Sequence, residues 1–166
     1  IRDKLVTGVQ TCALPIFSME LKSEKDMVRS YQVAFTDVKK SSSVKGTSVE
    51  PYGSGKIDET GKILHFNFHL NAIHDELIYL ATIQNQGTVP VRIVEIMESP
   101  DYQKESMAKL IDPVTIQLSS VQNKVLQPDE EIQLKIVVFY NSSNKDNSPK
   151  DFSYDLGLIT ESVEDE

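Results

Sequence analysis

From Tyr31 onward the apolar side chains return at every second residue rather than every third or fourth. That spacing is the period of a pleated strand, in which alternate side chains leave opposite faces, so each such run has one face to bury. Tyr31, Val33 and Phe35 alternate with Gln32, Ala34 and Thr36, and Phe66, Phe68 and Leu70 alternate with His65, Asn67 and His69. In the next run Leu77, Tyr79, Ala81 and Ile83 share a face, but Ile78 and Leu80 on the other face are apolar too. This strand is therefore expected at the centre of the fold, covered on both sides. Thr88 to Met97 is rich in β-branched residues and changes parity near Val94, where a bulge is expected. Val114 to Leu118, Ile132 to Tyr140 and Phe152 to Leu158 complete the alternating runs. About seven strands joined by short turns describe an antiparallel β-sandwich.

The segments between the runs are read from their turn and helix chemistry. Pro100 to Leu110 carries Met107 and Leu110 three apart behind an acidic start at Asp101, which predicts one short inter-strand helix. Lys39 to Lys56 is rich in Ser, Gly and Lys without periodicity and is expected to be a mobile loop, and Asn141 to Asp151 is a second polar loop. Residues 1–17 include Val6-Thr7-Gly8-Val9-Gln10-Thr11-Cys12-Ala13-Leu14-Pro15-Ile16, which resembles a translated sequencing adapter. Thr7, Gly8, Gln10 and Thr11 break any apolar core that a signal peptide would need. We therefore expect an artefactual leader over 1–17, one domain over 18–163 and an acidic tail over 164–166.

Charge and cysteine narrow the function classes. With 25 acidic against 17 basic residues and a net charge of -8, there is no clustered Lys/Arg surface of the kind phosphate backbones require, so no nucleic-acid partner is expected. Apolar runs such as Leu77 to Ala81 fall far short of the roughly 18 residues that span a bilayer. Cys12 is the single cysteine, so no internal disulfide and no cysteine-based zinc cluster can form.

Each chemical candidate competes with a plainer reading. His65 and His69 have the i, i+4 spacing that chelates zinc on a helix, but on a strand they stand roughly 13 Å apart, and His74 in the following turn adds no credible third ligand. They are expected to face solvent on an outer sheet face. Asn144, Asp146 and Ser148, with Asp155 further on, imitate the ligand order of a calcium loop, but Pro149 stands where that loop needs glycine. Gly53-Ser54-Gly55-Lys56 has a faint likeness to a phosphate loop, but Glu50 and Ile57 break the pattern, and a flexible turn is expected. No Ser lies in a nucleophile elbow, and the pairs Glu130-Glu131 and Glu164-Asp165 lack apolar neighbours that would raise a pKa. No catalytic residue, metal ligand or cofactor is assigned, and no enzyme is expected.

Three stretches carry a family likeness: Val33-Ala34-Phe35-Thr36-Asp37-Val38 before a Ser/Lys/Gly loop, Ala81-Thr82-Ile83-Gln84-Asn85-Gln86-Gly87-Thr88, and Leu126-Gln127-Pro128-Asp129-Glu130-Glu131 leading into Ile132-Gln133-Leu134-Lys135-Ile136. Together they resemble exported immunoglobulin-like domains of Gram-positive gut bacteria, distantly camelysin-like, over residues 28 to 163. In such domains an Asn-x-Gly turn joins two strands and a Pro-Gly-Asp or Pro-Gly-Glu turn starts another; here Asp129 replaces that glycine. The resemblance implies an immunoglobulin-like sandwich that is secreted or held at the cell surface; the absence of catalytic groups on such a sandwich makes protein contact, matrix or adhesion the expected role. The sandwich pattern without catalytic groups adds the expectation of a protein partner or self-association, and if subunits join by donating a strand, the segment before Tyr31 is the donor. Two alternatives stand beside it. One is a camelysin-like secreted protease; the other is a carbohydrate-binding module stacking sugar on Tyr52, Tyr102, Tyr140 or Tyr154.

Overall fold

The computed structural model describes residues 30–98, 114–141 and 148–163. These residues form nine strands in chain order: β1 (Val33–Val44), β2 (Tyr52–Ile57), β3 (Ile63–Leu70), β4 (Glu76–Asn85), β5 (Val91–Glu98), β6 (Val114–Leu118), β7 (Val125–Leu126), β8 (Glu131–Tyr140) and β9 (Lys150–Ser162). A four-stranded sheet runs β1-β4-β8-β6 and a five-stranded sheet runs β2-β3-β9-β5-β7, every pair antiparallel. The fold is all-β, two sheets face to face, and there is no helix among the described residues. The segment expected as a helix, Pro100 to Leu110, lies outside them.

The period-2 pattern explains the core. Along β4 the side chains alternate strictly between buried and half-buried, with Leu77, Tyr79, Ala81 and Ile83 inward. β3 sends Leu64, Phe66, Phe68 and Leu70 inward from the opposite sheet, and Leu134, Ile136 and Val138 of β8 meet Tyr154, Leu156 and Leu158 of β9 in one continuous cluster. Rings of Phe66 and Phe68 pack edge-on against Tyr79 at centroid distances of 5.2 and 5.6 Å. Burying side chains of this size stabilises by about 1.5–3 kcal/mol each before entropy is charged against it. The expected bulge is present: β5 slips register between Ile93 and Glu95.

Three expectations need correction. The described residues form nine strands rather than about seven, because β2 and β7 are additional. β2 occupies the stretch read as a flexible Gly-Ser-Gly turn, and β1 runs on to Val44, so only residues 45–51 join the two strands instead of a loop from Lys39 to Lys56. Glycine disguised β2, since it is depleted in strands. Here it is demanded sterically: a Cβ on Gly53 would lie 2.8 Å from the Phe68 ring, and one on Gly55 would lie 2.7 Å from the Phe66 ring. β7 has only two residues, too few to show a period. Tyr31 is the third correction: it precedes β1 and is exposed, while Val33 and Phe35 are buried as expected.

Two buried polar side chains anchor the turns. Asp75 accepts hydrogen bonds from the backbone N–H groups of Gly46 (2.7 Å), Asn71 (2.6 Å) and Ala72 (3.1 Å), so one carboxylate ties the β1–β2 connection to the β3–β4 turn. Asn85 donates from Nδ2 to the carbonyls of Val89 (2.8 Å) and Leu126 (2.9 Å) and accepts from Gly87 N–H (3.0 Å). This is the Asn-Gln-Gly turn of the sequence, and its amide also fastens β7. Asp129 takes φ 66°, the left-handed region that glycine enters without penalty.

Candidate functional site

Because β2, β3 and β9 pair in register, their outward side chains fall into rows across the five-stranded sheet. Tyr52 lies beside His69 and His69 beside Asp151; Ser54 beside Asn67 and Asn67 beside Ser153; Lys56 beside His65 and His65 beside Asp155. Inward neighbours on the same strands, among them Phe66, Phe68, Tyr154 and Leu156, fix the phase, so the rows must face out. The next row is of another kind. Ile63 and Met97 flank Gly157, with Ile159 one step along β9 beside Glu95. All three apolar side chains are exposed, and a Cβ on Gly157 would touch only Met97, at 3.8 Å.

Polar groups in the rows are engaged with one another. His69 donates from Nδ1 to Asp151 Oδ1 (2.6 Å), and its Nε2 faces Asn71 Oδ1 at 3.0 Å. The Asn71 amide nitrogen reaches toward the Val49 carbonyl at 3.4 Å, which sets the amide oxygen toward the imidazole. With an acceptor at each nitrogen, the ring is best satisfied carrying both protons, and the hydrogen bond to Asp151 raises its pKa above the ordinary value, ahead of burial, which opposes it. Tyr52 stacks on this imidazole at 4.6 Å and 15°, a geometry that favours the cation. His65 makes the matching contact two rows away, Nδ1 to Asp155 Oδ1 at 2.7 Å, and in the row between them Ser153 Oγ donates to Asn67 Oδ1 at 2.7 Å.

This arrangement presents a firm array of donors, acceptors and one aromatic ring beside an apolar corner. A serine relay would need a hydroxyl against an imidazole. Ser153 is instead turned to Asn67. Among the described residues no three His, Cys, Asp or Glu side chains converge as a metal would require. Asp155, counted at the end of the calcium-like loop, sits within β9 against His65, and Ser148 lends its carbonyl to the Tyr140 hydroxyl at 2.7 Å; Asn144 and Asp146 lie outside the described residues. Gly53-Ser54-Gly55-Lys56 is strand, and Glu130 closes its own turn by accepting from Gln127 N–H at 2.8 Å. Cys12, Tyr102 and Glu164-Asp165 lie outside the described residues.

Sequence reasoning placed His65 and His69 on an outer sheet face, where they are, but missed their partners. The acids sit 82 and 90 residues away in the chain. One clue existed: the two histidines and the two aspartates share a four-residue spacing, as an antiparallel pair of strands requires. Tyr140 and Tyr154, considered as sugar platforms, are buried, and Tyr154 donates to Glu98 at 2.8 Å. Tyr52, 62% exposed, is the one of that set still open to a ligand among the described residues. No helix of the described residues is long and apolar enough to cross a membrane. Comparison with family models, curated proteins and solved structures found no match to the chain.

Proposed function

We propose that this chain is a non-enzymatic, immunoglobulin-like contact module, secreted or held at a cell surface, that binds a protein partner through the outer face of its five-stranded sheet. The observation that carries this reading is the exposed apolar corner of Ile63, Met97 and Ile159 lying directly against ordered polar rows. An apolar centre with a satisfied polar rim is the usual anatomy of a protein contact. Strand order supports the immunoglobulin-like part: β1-β4-β8-β6 follows the A-B-E-D sheet and β5 and β9 neighbour each other as C and F do, while the place beside β9 that G would take is filled by β3, which comes before β4 in the chain. Placement at the cell surface follows from the family resemblance described above.

The test is capture by the immobilised domain of defined surface and matrix proteins, comparing wild type with Met97→Asp/Ile159→Asp. A protein retained by wild type and lost with the variant, while His69→Gln alters its affinity only modestly, is the expected result. Equal retention by both would remove this face from consideration. One observation favours a second reading: the open ring of Tyr52 beside Asp151 and Asn71 suits a saccharide. Binding on a glycan array that disappears with Tyr52→Ala, and persists with Met97→Asp/Ile159→Asp, would select it instead.

A further inference from the structure

β4 is apolar on both faces, yet among the described residues the core cluster takes in only one of them, and the apolar side chains of the other face are half-buried. Ile78 and Leu80 of β4 and Val137 and Phe139 of β8 alternate with buried residues and point away from the other sheet. None of the four belongs to the core cluster or to the partly buried residues packed against it. Antiparallel sheets with one solvated face normally alternate apolar-in and polar-out, so this outer face departs from the rule at its middle.

Register fixes the layout. One row across the sheet reads Val44, Glu76, Phe139, Thr115; the next reads Ser42, Ile78, Val137, Gln117; the third reads Lys39, Leu80, Lys135. Acid and ring thus lie on one side of the Ile78–Val137 row, and two lysines with Leu80 lie on the other. From this pattern we infer that the outer face of the four-stranded sheet pairs with the same face of a second copy of this chain.

The layout is self-complementary under a two-fold axis lying along the middle row. Such an axis puts Ile78 and Val137 against their own counterparts and lays the first row of one copy over the third row of the other. Glu76 then stands over Leu80 of the second copy with Lys39 and Lys135 of that copy on either side, and Phe139 covers the stem of that Lys135. An isologous contact needs this kind of match, each patch meeting itself in reverse. Size is at the lower end of the range: strands of 12, 10, 10 and 5 residues, about 4.8 Å apart and rising about 3.4 Å per residue, give a face of roughly 600 Å², against about 800 Å² per partner in a standard protein contact. The net charge of -8 opposes association at long range, but the facing groups are of opposite sign and the far field is screened beyond about 8 Å at physiological salt.

Sedimentation equilibrium of the full chain, from micromolar to millimolar, tests this. Wild type is expected to show a monomer–dimer equilibrium. Val137→Glu and Glu76→Lys should each weaken it at least about tenfold, the loss of one good contact. Reversing both sides in Glu76→Lys/Lys39→Glu/Lys135→Glu should restore it, an outcome a general loss of folding could not produce. A wild-type chain that stays monomeric throughout, or a dimer indifferent to Glu76→Lys, overturns the inference. The Met97→Asp/Ile159→Asp variant, on the opposite sheet, should dimerise as wild type does, so this proposal and that of partner binding fail separately.

Discussion

Both ring nitrogens of His69 end on oxygens, and this ties the charge of one side chain to the cohesion of the outer face. Its folded pKa is raised above the ordinary 6.5, first through the hydrogen bond to Asp151. A raised folded pKa means the contribution to stability is complete below the unfolded pKa and disappears as pH climbs through the folded one. The urea midpoint should therefore fall as pH rises above about 6.5, the unfolded value of histidine. Asp151→Asn, which removes the largest cause of the shift, should flatten that slope. An unchanged slope would assign the pH dependence elsewhere. Asp129 offers a second residue-scale prediction. A non-glycine side chain at φ 66° is strained, so Asp129→Gly should raise stability by about 0.5–1 kcal/mol, read from the same midpoint. A loss instead would mean that the aspartate side chain stabilises its turn by more than the backbone strain costs.

At the scale of elements, alternation made the long strands legible and composition hid the short ones. β3, β4, β8 and β9 announced themselves because large apolar residues at period 2 have no other economical conformation. β2 did not, because two of its three inward positions are Gly53 and Gly55, emptied to make room for Phe66, Phe68 and Tyr79 from elsewhere in the chain, and Ile57 alone shows no period. A side chain whose absence is the signal cannot be read locally. The same holds for the candidate site: His65 and His69 could be placed on a face, but Asp151 and Asp155 join them only once β3 and β9 are known to pair. If β2 is a strand that passes over packed rings, adding a methyl must force those rings or the backbone apart. Gly53→Ala places its Cβ 2.8 Å from the Phe68 ring and 2.9 Å from the Asn67 carbonyl oxygen. It should cost about 1–3 kcal/mol, the usual range for overpacking, with the largest loss of amide protection in β2 and β3. A neutral result by thermal melting would mean that this edge is looser than the contacts indicate.

For the whole molecule, the two outer faces carry different chemistry and point in opposite directions. One has His–Asp rows and an apolar corner; the other has an apolar strip between acid and lysine. A sandwich separates them by two sheets stacked about 10 Å apart, so a group on one face cannot touch a group on the other. If the four-stranded faces pair as inferred, the two five-stranded faces of the dimer look outward on opposite sides, and no single flat surface can engage both. Such a dimer gains no avidity on one surface, because linked sites help only where geometry lets both engage. It bridges two surfaces instead. Beads coated with a partner protein should therefore clump when wild-type chain is added, and the clumping should pass through a maximum and fall at excess, as every site on both beads becomes filled singly. With Val137→Glu the beads should still take up the chain to the same density, measured by bound fluorescence, but stay dispersed. Met97→Asp/Ile159→Asp should abolish uptake while leaving the dimer in solution. Clumping by the Val137→Glu monomer would require a second partner site on the same copy, and the division of labour between the two faces would have to be abandoned.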